Sequence, residues 1–297
     1  MVVKYNINSN GKKIKCFEFD GLVEQLETIM PQIKNNVYGI VDELKENSEN
    51  GWNGKYTLDQ TLNGMKYGFK AETDYFLDCI EEIRTQDALS EGMYMDVEGY
   101  AYDIGSVVQG VPECCINTGL PTPTPSVTIM VDISFSCVFS SEQLNNRGIA
   151  IANLVNTLLL NGYIVDLYFM MYNTQSDMDI MYTISVDTKT LPISSIAFMS
   201  STDYFRKIGF ITMDLIRGKE SGWGRGQSTM HDFMLNKFKK NDIFFIGGGY
   251  SNNELSSHLS SPQEADKYLL SMFEKFCKEH KIKITFKKDI DIETNAC

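Results

Sequence analysis

Val127-Thr-Ile-Met-Val131 followed by Asp132-Ile-Ser-Phe-Ser136 is the stretch on which the fold turns: a short apolar run of buried-strand type that ends on a carboxylate and two hydroxyls. Ser140 with Gln143 three residues on then reads as a capping box, and Ile151, Leu154, Val155, Leu158 and Leu159 form one stripe on the helix it opens. Asn161-Gly162 stops that helix. Tyr163 to Met171 is a second strand, nearly continuously apolar apart from Asp166, and Met178 to Val186 is a third. Asp242-Ile-Phe-Phe-Ile246 reads as another buried strand. Ser261-Pro-Gln-Glu264 starts a helix with a cap, a first-turn proline and a carboxylate, and Ala265, Leu269, Met272, Phe273 and Phe276 share its apolar face. Ile282, Ile284 and Phe286 alternate on a final strand. Strands and helices repeated in this way predict an α/β fold, a doubly wound and mainly parallel sheet with helices on both faces.

Upstream the pattern differs. Residues 14 to 19 suggest a short strand, and Leu22, Val23, Leu26, Ile29 and Met30 recur at helical spacing until Pro31 ends or kinks the helix. A polar, glycine-rich loop carrying Trp52 follows. Thr57, capped by Gln60, opens a helix through Leu62 and Met65, and Phe76, Ile80 and Ile83 mark another. The segment from Tyr94 to Thr118 is irregular and aromatic. Three prolines at alternate positions, Pro121, Pro123 and Pro125, hold the backbone extended. The expected organisation is therefore a smaller, mostly helical N-terminal region over 1–120, a linker at 121–125, an α/β domain over 126–290 and a tail at 291–297.

Composition excludes several classes. The 297 residues are 43% hydrophobic and 22% charged, which is ordinary globular usage, and the formal net charge of -12 opposes a phosphate backbone. Seven cysteines without a C-x-x-C pair and three histidines argue against a closed zinc site and against a secreted disulfide framework. The N-terminus lacks the apolar core of a secretory signal, and no apolar run is long enough to span a bilayer, so an intracellular protein without a membrane partner is expected.

In a doubly wound sheet, ligands gather where strands end at their carboxyl edge. Asp132, Ser134 and Ser136 stand there, and side chains two apart in such a turn converge on a hard cation such as magnesium (Mg2+), which prefers oxygen ligands. Between an apolar strand and an amphipathic helix, this D-x-S-x-S pattern resembles the metal-ion-dependent adhesion site of von Willebrand factor A-type domains, over about 127–288 by element order. The resemblance implies two further ligands: a threonine from a later loop, which Thr202 in Ser200-Ser-Thr-Asp203 supplies, and an aspartate ending the fourth strand. The strand at Ile243–Ile246 runs instead into Gly247-Gly-Gly-Tyr-Ser-Asn-Asn-Glu254, where that aspartate is missing.

A second resemblance covers most of 20–215. Trp52-Asn-Gly-Lys-Tyr-Thr57 with Gln60 and Gly68, Gly105 to Cys114, Arg147-Gly148 through Gly162-Tyr163, and Ala197-Phe198 with Phe205-Arg-Lys-Ile-Gly-Phe210 occur in that order. Together they are similar to a family of tailed-phage proteins that is a domain of unknown function. The resemblance implies a phage or prophage origin, and hence the cytoplasm of an infected bacterium, or the virion, as the place of action.

Other features carry less chemistry. The loop from Gly247 lacks the Lys-Ser/Thr of a phosphate-binding loop, and Cys114-Cys115 has no companion histidine motif. Trp223 and Arg225, in a glycine-rich connection, and Tyr250, Asn252 and Asn253 are the expected partner contacts. The leading expectation is a protein-interaction module or adaptor that binds rather than turns over, with magnesium at the sheet edge. Von Willebrand A-type domains often work beside hexameric ATPases, which makes an ATPase or another phage protein the expected partner. The alternatives are a virion or assembly component, or a hydrolase or nucleotide-handling enzyme using the same edge.

Overall fold

Val3, Tyr5 and Ile7 alternate with polar residues along Val3–Ser9 (β1), as Ile14 and Cys16 do along Lys12–Phe19 (β2), and this period of two makes both segments strands. The computed structural model describes residues 3–9, 12–35, 54–67, 93–96, 101–102, 115–118, 126–135, 138–173, 178–189, 191–217, 242–248 and 257–282. After β2 come helix α1 (Leu22–Lys34) and helix α2 (Leu58–Tyr67). Pro31 does not end α1, which runs on to Lys34. Short strands β3 (Met93–Asp96), β4 (Ala101–Tyr102) and β5 (Cys115–Thr118) pair in an antiparallel sheet of their own, in the order β3-β5-β4.

Strand β6 (Ser126–Asp132) leads into helix α3 (Ser141–Leu160). The capping box at its start is present: Gln143 N donates to Ser140 Oγ (3.2 Å), and Ser140 N donates to Gln143 Oε1 (3.0 Å). Strands β7 (Ile164–Asn173) and β8 (Met178–Val186) follow, then helix α4 (Ile193–Met199), a π-helical segment over Tyr204–Gly209, helix α5 (Phe210–Arg217), strand β9 (Ile243–Ile246) and helix α6 (Pro262–Glu279). Ser261 caps α6 by accepting from Glu264 N at 3.2 Å.

The main sheet has the order β1-β2-β8-β7-β6-β9. β6 lies parallel to β7 on one side and to β9 on the other; β2 is parallel to β8, whereas β1/β2 and β7/β8 are antiparallel. The fold is thus α/β with a mixed sheet in which parallel pairing predominates. The described part of the N-terminal region is not mostly helical, since it carries five strands beside two helices. The physical reason is the free edge of β8: its unpaired backbone groups are satisfied by β2, which with β1 extends the sheet. The prolines at 121–125, the helix expected around 76–83 and the alternation at Ile284 and Phe286 lie outside the described residues.

One face of the sheet, with Ile129, Val131, Leu167, Phe169, Tyr182 and Ile184, packs beneath the helices in the principal core. Its other face buries a smaller cluster of Ile14, Cys16, Met130, Met170, Tyr172 and Met181. Among the described residues, every helix that enters the core joins the first cluster. α3 packs between α4 and α6, and Gly148 lies so close to α4 that an added Cβ would overlap the Ala197 carbonyl oxygen.

Gly148→Ala tests this helix contact. Alanine raises intrinsic helix propensity by about 1 kcal/mol, but two backbones that cannot part without disturbing the core turn the change into a net loss of about 1–3 kcal/mol. Urea unfolding reads the difference, and a more stable variant would show that α4 is free to move away.

Candidate functional site

Asp132 closes β6 at the carboxyl edge and is buried. Its Oδ1 accepts from Ser134 N at 2.8 Å, a local turn that starts the loop, and its Oδ2 accepts from Gly248 N at 3.2 Å, just past β9. Ser134 Oγ accepts from Tyr172 N (3.0 Å) and donates to Tyr172 O (3.2 Å), fastening the loop to β7. Gly248 is required by contact: an added Cβ would overlap the Ser134 carbonyl oxygen and press on the Asp132 carboxylate.

Arg147 reaches this place from α3 and is only 4% exposed. Its Nη2 donates to Asp132 O (3.0 Å), Ile246 O (3.2 Å) and Gly247 O (3.0 Å), so one guanidinium gathers the carboxyl ends of β6 and β9. The guanidinium lies over the Phe135 ring, 4.7 Å from its centroid, while Nη1 is buried without a hydrogen-bond partner. Burial pushes the Arg147 guanidinium down to about 10, opposed by the charge of Asp132 and the nearby Tyr268. Burial also raises the Asp132 carboxyl above its ordinary range, opposed by the Ser134 and Gly248 N–H groups and by Arg147. Arg147 therefore keeps its charge at neutral pH.

Phe135 meets Phe205 edge to face at 5.6 Å, which brings the loop against the segment that starts at Ser200. There the Asp203 carboxylate accepts from Lys55 N (3.0 Å) and Tyr56 N (2.8 Å) and pairs with Lys207. Burial lowers the Lys207 ammonium, and Asp203 opposes the shift. Gly54, at φ 90°, sits on the same carboxylate with no room for a Cβ. Arg206 donates to Phe139 O at 3.2 Å. Tyr204 OH donates to Gln25 Oε1 (2.8 Å), and Gln25 Nε2 donates to Thr212 Oγ1 (2.9 Å), a buried polar chain linking α1 to α5.

The expected ligand set is thus only partly assembled. Asp132 and Ser134 come together, whereas the Thr202 hydroxyl is buried with no hydrogen-bond partner and so bonds neither of them. Ser136, Trp223, Arg225, Tyr250, Asn252 and Asn253 lie outside the described residues. Magnesium needs available oxygen lone pairs around a small octahedral shell. Asp132 is the one carboxylate of the set, each of its oxygens already accepts a backbone N–H, and Ser134 spends its proton and a lone pair on Tyr172. A full positive charge on Arg147 also stands at the edge. Among the described residues no three His, Cys, Asp or Glu side chains group as metal ligands. As they stand, the described members of the set, Asp132, Ser134 and Thr202, do not form a shell for a divalent cation.

Arg147 is the site residue that reading for oxygen ligands missed. Its signal was present: it falls three residues after Leu144 and four before Ile151, on the apolar face of α3, where a cation must find internal acceptors. Segments far apart in sequence meet around it, with Gly54 to Tyr56 on Asp203, and Gly148 on Ala197. A family model described as Domain of unknown function (DUF7192) matches residues 14–280, on both sides of the prolines. No curated protein and no solved structure matches the chain.

Two substitutions test these assignments. Thr202→Val keeps the shape and removes an unsatisfied buried hydroxyl, so stability should rise by about 1 kcal/mol; a fall in the thermal midpoint would reveal an acceptor or donor for that hydroxyl in solution. Asp203→Asn strips a buried ammonium of its carboxylate and should cost about 3 kcal/mol, with faster hydrogen exchange at the Lys55 and Tyr56 amides. Unchanged exchange there would show that the loop is held by other contacts.

Proposed function

We propose that this chain, which belongs to the family described as a domain of unknown function (DUF7192), is a protein-interaction module that holds its partner at the carboxyl edge of a von Willebrand A-like sheet. The observation that carries the reading is the meeting of Asp132 with Gly248, beside which Arg147 joins the carbonyls of Asp132 and Gly247. The four strands after the prolines lie in the order third, second, first, fourth, and the chain diverges between β6 and β9. That order supports a switch point at the β6/β9 crevice, the place where open α/β sheets bind, although every described helix that enters the core lies on one face. The residues at the crevice are tied to backbone groups, which favours a preformed binding surface over acid–base chemistry.

The loop after Phe135 turns Val138 outward, 68% exposed, beside the same edge. Tyr250, Asn252 and Asn253 follow Gly248 closely in sequence, and with Trp223 and Arg225 they are the proposed contacts. The resemblance to tailed-phage proteins supports a partner inside an infected bacterium, either an ATPase or another phage protein. No helix among the described residues is long and apolar enough to cross a membrane.

Affinity capture from infected cells tests the reading when it is paired with Val138→Asp, a surface change that leaves the unfolding midpoint in place. A discrete partner should be retained by the wild type and lost by the variant. Equal retention by both, or recovery of the protein only within purified particles, would reject the module in favour of a structural component.

A further inference from the structure

The carboxyl edge is rich in oxygen, and at its centre Asp132 and Arg147 are buried. Three backbone carbonyls, those of Asp132, Ile246 and Gly247, converge from two parallel strands, and the Asp132 carboxylate lies beside them. Three carbonyl oxygens and a carboxylate gathered in one place make the spot electronegative, so it attracts a cation whatever partner is bound. We propose that Arg147 is the resident cation of the edge: its guanidinium occupies the place of a metal ion, neutralises Asp132 and locks β9 to β6. The inference stands on the β6/β9 geometry alone, and it holds or fails independently of the partner reading.

Three observations carry it. The guanidinium shares its Nη2 among three carbonyls while lying over the Phe135 ring, a combination that a point charge on a flexible stem supplies poorly. Its face is packed on Phe135, which fixes the fork in orientation. Gly248 is pressed so tightly on Ser134 and Asp132 that the end of β9 has one position, set by the same carboxylate. Arg147 is accordingly a positioning residue. Through the backbone it sets where the Gly247–Gly248 turn stands.

Thermal unfolding with added cations separates this role from simple packing, because a ligand that binds only the folded state raises its midpoint. Magnesium chloride should leave the wild-type midpoint where matched ionic strength leaves it, whereas Arg147→Ala should unfold at lower temperature and regain part of the loss in ethylguanidinium but not in ethylammonium. A magnesium-dependent rise in wild type that Asp132→Ala abolishes would overturn the proposal. So would equal responses of Arg147→Ala to the two organic cations. Should Arg147→Ala not fold, Arg147→Lys serves: faster hydrogen exchange at Gly248 than in wild type supports the fork, and unchanged exchange refutes it.

Discussion

One guanidinium bonded to three backbone carbonyls is the constraint on which the carboxyl edge depends. Where two parallel strands end side by side, the carbonyl oxygens that the ladder no longer pairs need donors. Water supplies them on an open edge. Here the place is buried, and Arg147 supplies them from α3 instead. The alignment of α3 across the sheet follows from this contact as much as from its apolar stripe. Its near neighbour Gly148 then sets how closely α4 approaches.

Burying charge is expensive, and each buried charge in this region has several partners for that reason. Asp132 accepts two backbone N–H groups in addition to the field of Arg147. Asp203 accepts two more from Lys55 and Tyr56 besides its pair with Lys207. These bonds cross long sequence distances, so they select one arrangement of segments that hydrophobic packing alone would leave less determined. The π-helical segment at Tyr204–Gly209 lies among them. Its wider turn directs Arg206 and Lys207 inward together, and both are buried.

Much of the α/β framework was legible in the sequence because apolar runs and caps are local signals. The strands β6, β7, β8 and β9, the capping box at Ser140 and the start of α6 at Ser261 all followed from residues within a few positions of one another. β1 was legible but unread. Val3, Tyr5 and Ile7 alternate, and Ser9 pairs with Lys12 across Asn10-Gly11, a dipeptide that strongly favours a hairpin. That β2 joins β8 was not legible, since a parallel pairing over such a separation leaves no local mark. The site divides the same way. Asp132 and Ser134 were found by spacing, but their hydrogen bonds to Gly248 and Tyr172, which decide what they can still bind, depend on tertiary contacts alone.

The sequence also holds a compositional clue whose meaning only the contacts supply. Arginine is scarce, standing at positions 84, 147, 206, 217 and 225 of a chain with 27 basic residues. Among the described residues, Arg147 and Arg206 are buried, and both donate at or near the D-x-S-x-S pattern: Arg147 to the Asp132 carbonyl at its first residue and Arg206 to the Phe139 carbonyl after it. At Arg147 the flat guanidinium also lies over Phe135, which a lysine ammonium does not reproduce. Phe135 also packs inward on Phe205, so the start of that loop is held by ring contact as well as by Arg147. Groups held in this way lose less freedom when a neighbour packs on them, which lowers the entropic cost of any association at the edge.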